Sequence, residues 1–131
     1  MKVDRIHCCQ DSNNPDNPNK NLCVLEVAQF LGVDNEAKYL HYPMDIVLAA
    51  RKSGKLITSH LTYKVGRFNT VGGIRKKLSE IAEKQKNSIG FLLYLEEHVI
   101  LLDSNGKTIV DTDPRIKDRR AILGIWQFFS K

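Results

Sequence analysis

Long apolar runs are missing from this chain. The longest candidate, FLLYLEEHVILL, is broken by Glu96, Glu97 and His98, and it falls short of the roughly 18 residues that a membrane-spanning helix needs. The N-terminal residues MKVDRIHCCQD hold no apolar signal core, so a cytoplasmic protein without a membrane partner is expected. Cysteine is scarce and odd in number, at Cys8, Cys9 and Cys23. Neighbouring cysteines seldom bridge each other, and the spacing is not that of a disulfide framework. A reducing compartment with at least one free thiol is the expectation. Proline is rare too, and Pro15 and Pro18 are spent on one loop. No internal repeat is visible.

What is present describes an ordinary globular chain. Its 131 residues, 42% hydrophobic and 27% charged, suffice for one domain spanning 1–131 with a real core. The net charge of +5 is compatible with an acidic partner without defining one.

Residues 11–21, DSNNPDNPNKN, form an Asn/Pro-rich loop that no regular element tolerates. LCVLEVAQFLG follows, apolar on almost every side except at Glu26 and Gln29. Such a segment is expected to be a buried central helix, capped by Asn19 or Asn21 and stopped at Gly32. A second helix is expected over Tyr42–Gly54, with Pro43 in its first turn. Residues 55–69 have some alternation and are expected to be extended in part. Val71, Ile74, Leu78, Ile81 and Ala82 recur at helical spacing, with Arg75, Lys76, Lys77, Lys84 and Lys86 mostly on other faces. SIGFLLYL then has the composition of a strand covered on both sides. HVILLD and KTIVDT follow, and residues 115–131 turn from basic to aromatic, consistent with a last strand. Helices followed by antiparallel strands define an α+β fold.

HVILLDSNGKTIVDTDP contains the strongest short-range hairpin signal, Asn105-Gly106 between alternating apolar positions. A two-residue turn there pairs Ser104 with Lys107, Leu102 with Ile109, Ile100 with Asp111, and His98 with Asp113. Directly opposed residues lie about 4.5–5.5 Å apart at Cβ, so an imidazole and a carboxylate meet at one end of the hairpin. A longer loop shifts this register and substitutes Asp111 or Thr112 for Asp113. A carboxylate that orients a histidine is two thirds of a nucleophilic triad. Cys23 qualifies as the nucleophile, because a helix's first turn and a nearby imidazolium both stabilise a thiolate.

A cysteine opening a central helix, a histidine-bearing strand and an Asp on the next strand resemble the chain order of papain-like cysteine peptidases. The compact forms are most similar: bacteriocin-processing peptidase domains, picornaviral leader peptidases and papain-fold toxin domains. The resemblance spans roughly residues 17–114. It implies a papain-like fold and a thiol hydrolase, most simply a peptidase, acting on a protein or peptide substrate. It further implies Cys23 as nucleophile, His98 as general base and acid, and Asp113 as the orienting acid. Asn17 matches the oxyanion-hole position, with Asn19 and Gln10 as competitors. Val24 and Leu25 stand where many relatives carry Gly or Trp. That departure keeps open an inactive descendant, a papain-like binding or effector module.

Two other readings carry less. His7-Cys8-Cys9 lacks the C-x2-C spacing of a zinc site, so neither metal nor cofactor is expected. The run RIKDRR, the lysines of the third helix, and Phe128 and Phe129 have the composition of a nucleic-acid surface. No groove-reading or RNA-binding motif accompanies them.

Overall fold

The computed structural model describes residues 22–61, 70–96, 98–112 and 118–131. Within these residues, three α-helices and a five-stranded antiparallel sheet confirm the α+β class. The elements run α1 (Leu22–Leu31), α2 (Pro43–Ser53), β1 (Leu56–His60), α3 (Val71–Glu83), β2 (Ser88–Leu95), β3 (His98–Asp103), β4 (Thr108–Val110) and β5 (Gly124–Ser130). One strand, β1, precedes the third helix, so helices and strands are not fully segregated along the chain. None of the described helices is long and apolar enough to cross a membrane.

Helix ends follow local chemistry. Gly32 closes α1 at φ +74°. Its N–H bonds to the Gln29 carbonyl, while the Val33 N–H bonds to the Ala28 carbonyl, the two bonds of a Schellman motif. Pro43 opens α2, where the missing N–H has no helical partner to lose. The Asp45 carboxylate accepts from the His41 and Tyr42 N–H groups at 2.9 and 3.0 Å. The Thr70 hydroxyl caps α3 by accepting from the Gly73 N–H at 3.1 Å. The asparagines considered as caps for α1 lie outside the described residues.

The sheet has the order β1-β5-β2-β3-β4, with every neighbouring pair antiparallel. Strand alternation divides it into two faces. Leu92, Val99, Leu101 and Phe128 point to one face and join Cys23, Val24, Val27, Ile46, Val47 and Ala50 from α1 and α2. Phe91, Leu93, Leu95, Ile100 and Leu102 point to the other and join Val71, Ile74, Leu78 and Ala82 from α3. Covering on both faces explains why β2 and β3 are almost continuously apolar. One expectation is corrected. α1 is buried along one side only, with Glu26, Gln29 and Phe30 exposed on the other. Period alone cannot tell a helix packed between layers from one lying over a sheet.

Candidate functional site

The β3–β4 hairpin forms, but its loop has three residues rather than two. Asp103 pairs with Lys107 (N–H to carbonyl, 2.7 Å), and Gly106 sits at φ +83°. The cause is the Asp103 side chain. Its Oδ1 accepts from both the Asn105 and Lys107 N–H groups, at 2.8 and 3.0 Å. This local capture competes with the tight two-residue turn and wins. Leu102 therefore faces Thr108 instead of Ile109.

The register then steps by one residue, and Leu101 faces Val110. This bulge governs the chemistry. Continuing the Leu102–Thr108 register without it would send Asp111 to the α1 face of the sheet. With it, Asp111 projects toward the face of Ile100 and His98. His98 Nε2 lies 2.8 Å from Asp111 Oδ1. The contact is diagonal, Asp111 lying two positions short of the residue directly opposite His98. The His98 side chain is 2% exposed and that of Asp111 19%. A carboxylate can only accept, so Nε2 carries the proton of this bond. Next in sequence, the Thr112 hydroxyl oxygen is buried with no hydrogen-bond partner among the described residues.

The hairpin is clamped from behind. One terminal nitrogen of Arg75 donates to the Gly106 carbonyl at 2.9 Å and to Thr108 Oγ1 at 3.1 Å. The other donates to Asp118 Oδ1 at 2.9 Å. Helical spacing placed Arg75 off the apolar face of α3. Its role was not legible, because its acceptors lie more than thirty residues downstream.

Cys23 occupies the second position of α1, as expected, but it is 1% exposed and disulfide-bonded. The other half of that bond lies outside the described residues. The expectation of a free thiol at this position is thereby corrected in the form described. The sequence could not name the pairing, because the spacings of Cys8, Cys9 and Cys23 match no disulfide framework. Cys23 belongs to the apolar cluster on the α1 side, whereas His98 shares a face with Leu95, Ile100 and Leu102. Asp111 bonds His98 and is one of the residues, with Glu26, Gln29 and Phe30 of α1, that border a shallow hollow. Asp113, Asn17, Asn19, Gln10 and the His7-Cys8-Cys9 segment all lie outside the described residues.

Of the two phenylalanines considered for stacking on a nucleic acid, one is withdrawn into the core. Phe128 is fully buried under α1 and α2, and Phe129 is half-buried. No family model, curated protein or solved structure matches this chain.

Proposed function

We propose that the chain is a thiol hydrolase of compact papain-like type, most simply a peptidase, with Cys23 as nucleophile, His98 as base and acid, and Asp111 as the orienting acid. The buried His98–Asp111 bond carries the reading. With the Nε2 proton committed to Asp111, Nδ1 is the ring atom that accepts a thiol proton. Asp113, the acid implied by the family resemblance, remains the competitor to Asp111. The disulfide makes the described form a latent one. Its reduction takes two electrons and two protons from a dithiol donor and yields the Cys23 thiol.

In the reaction, His98 takes the thiol proton and Cys23 Sγ attacks the substrate carbonyl. The amine leaves with the proton held by His98, giving a thioester. Water, deprotonated by the same ring, then releases the acid and restores the thiol. The hydrolase reading requires Cys23 Sγ and His98 Nδ1 to approach each other after reduction, although the two residues lie on opposite faces of the sheet. The Asn17 amide is the proposed oxyanion donor.

Burial and disulfide bonding of Cys23 favour a second reading, a non-catalytic binding module on the same scaffold. One experiment separates the two. After reduction, the pH-7 rate of iodoacetamide labelling is measured at each cysteine by mass spectrometry. The hydrolase reading expects Cys23 to label at least tenfold faster than Cys8 or Cys9, and His98→Ala to abolish the difference. Equally slow labelling of all three would leave the binding module standing.

A further inference from the structure

The outward face of α2 is apolar where a solvated helix is usually polar. Its buried residues are Ile46, Val47, Ala49 and Ala50. At about 3.6 residues per turn, Leu48 points directly away from these, and it is 52% exposed. Met44, one turn earlier, is exposed as well, and so are Tyr39 and Tyr42 on the segment that leads into the helix. The rings of Tyr39, His41 and Tyr42 follow one another at centroid separations of 6.3 Å. Four of the eight large hydrophobics exposed among the described residues thus fall within residues 39–48. A contiguous patch, unlike scattered apolar side chains, marks an interaction surface. We propose that this face docks on the same face of a second copy of the chain, as an antiparallel pair of α2 helices about a two-fold axis at Leu48.

The charges around Leu48 select the occupant. Asp45 precedes it in the helix and Lys52 follows it, and helical spacing puts both on the same flank of the outward face. With a rise of about 1.5 Å per residue, they stand roughly 4.5 and 6 Å from Leu48 in opposite directions. A two-fold rotation keeps the flank and reverses the direction. Each Asp45 therefore comes level with the partner's Lys52, to within about 1.5 Å along the helix, and Leu48 meets its own copy. The helix dipoles also oppose each other favourably. Asp45 has room for a further donor, because the His41 and Tyr42 N–H groups both bond to its Oδ2. A shallow hollow of about 230 Å³ beside Leu48 is lined by Glu36, Tyr39, Asp45 and Lys52 among others, which adds a second carboxylate near the first. Arg51 is drawn aside: its Nε donates to Thr58 Oγ1 at 3.0 Å, and its guanidinium lies over the Trp126 ring. A basic partner would answer the carboxylates and repel Lys52, and an acidic one would do the reverse. A second copy answers both. The helix has 11 residues, so it is about 16 Å long and 10–12 Å wide. Its face and the two tyrosines then offer roughly 400 Å², half of the ~800 Å² per partner of a standard interface. The dimer is accordingly weak and reversible, with a Kd on the order of 100 µM.

The test is sedimentation equilibrium of the full chain with its free thiols blocked, over roughly 10 µM to 1 mM, a span chosen around the expected Kd. The mass should rise from monomer towards dimer across that range. Leu48→Glu, which sets two carboxylates against each other at the axis, should weaken association at least about tenfold. Lys52→Glu should weaken it about fivefold, the upper range for an exposed ion pair. Both positions are exposed, so neither change disturbs the core. Ile57→Glu, equally exposed but on β1, should leave association unchanged. Zero-length carbodiimide cross-linking of a mixed 14N/15N sample then reads the register, with Lys52 joined to Asp45 or Glu36 in mixed-isotope products. A monomer at every concentration would overturn the inference and leave the face to a different partner. Indifference to Leu48→Glu, or Lys52 cross-links of one isotope alone, would overturn it too. Peptidase activity and cysteine labelling do not enter, so the dimer and the hydrolase reading can fail separately.

Discussion

Replacing Asp111 with alanine removes the acceptor of an imidazole N–H that has almost no access to solvent. His98 is 2% exposed and its Nε2 has its carboxylate oxygen at 2.8 Å. A buried donor left unanswered costs about 1–3 kcal/mol. The lower end applies if water reaches the gap from the partly exposed Asp111 side, and the upper end if the site collapses. We expect a loss near 2 kcal/mol, which for a domain of this size lowers Tm by roughly 6–10 °C. Asp111→Asn keeps an acceptor oxygen in place and should cost less than about 1 kcal/mol. The assay is urea unfolding at pH 7, with each variant in the same redox state so that the Cys23 disulfide does not confound the comparison. A double-mutant cycle with His98→Ala should return a coupling of about 1 kcal/mol or more. The argument fails if Asp111→Ala lies within about 0.3 kcal/mol of the parent. It also fails if the asparagine variant is as damaged as the alanine one, because the bond itself would then not be what stabilises.

Other substitutions probe the surrounding frame. Gly106→Ala should cost at least about 2 kcal/mol by thermal melt, since its φ is +83° and an added Cβ would sit 2.5 Å from the Arg75 carbonyl oxygen. Phe128→Ala, at the centre of the α1–α2 cluster and fully buried, should cost about 3–5 kcal/mol in urea unfolding. Arg75→Ala should cost about 1–2 kcal/mol, and Arg75→Lys should recover only part of it, because one ammonium cannot reach both sides of the hairpin tip and Asp118. Equal stability of the two Arg75 variants would show that the three bonds are not acting as a clamp.

Local signals made much of this architecture legible. Pro43 and Gly54 bracket α2, and the alternation around Asn105-Gly106 marks the hairpin, because each device acts within a few residues. His98 was placed at the start of β3 for the same reason. The loop length was not legible. It depends on Asp103 choosing two backbone N–H groups over solvent, a contest decided by a fraction of the energy of one hydrogen bond. That choice, with the bulge after it, determines which aspartate reaches His98. The exposed flank of α1 and the clamp by Arg75 are also set by distant partners, and no window of sequence contains both halves of such contacts.

The position of β5 has a consequence for how the protein folds. Among the described strands β1 lies at one edge of the sheet and pairs only with β5, which also pairs with β2. Within the sheet, β1 is therefore joined to β2 through Gly124–Ser130, seven residues that are made long after β1. Until they arrive, β2, β3 and β4 can form as a meander on α3 through local contacts alone. β1 must wait with its backbone groups unpaired. Closing that long connection carries its entropy cost before any pairing offsets it, so insertion of β5 should be the slow step of folding. Substitutions at Trp126 or Phe128 should slow refolding more than those at Phe91, a hierarchy that stopped-flow measurements on the three variants would read directly.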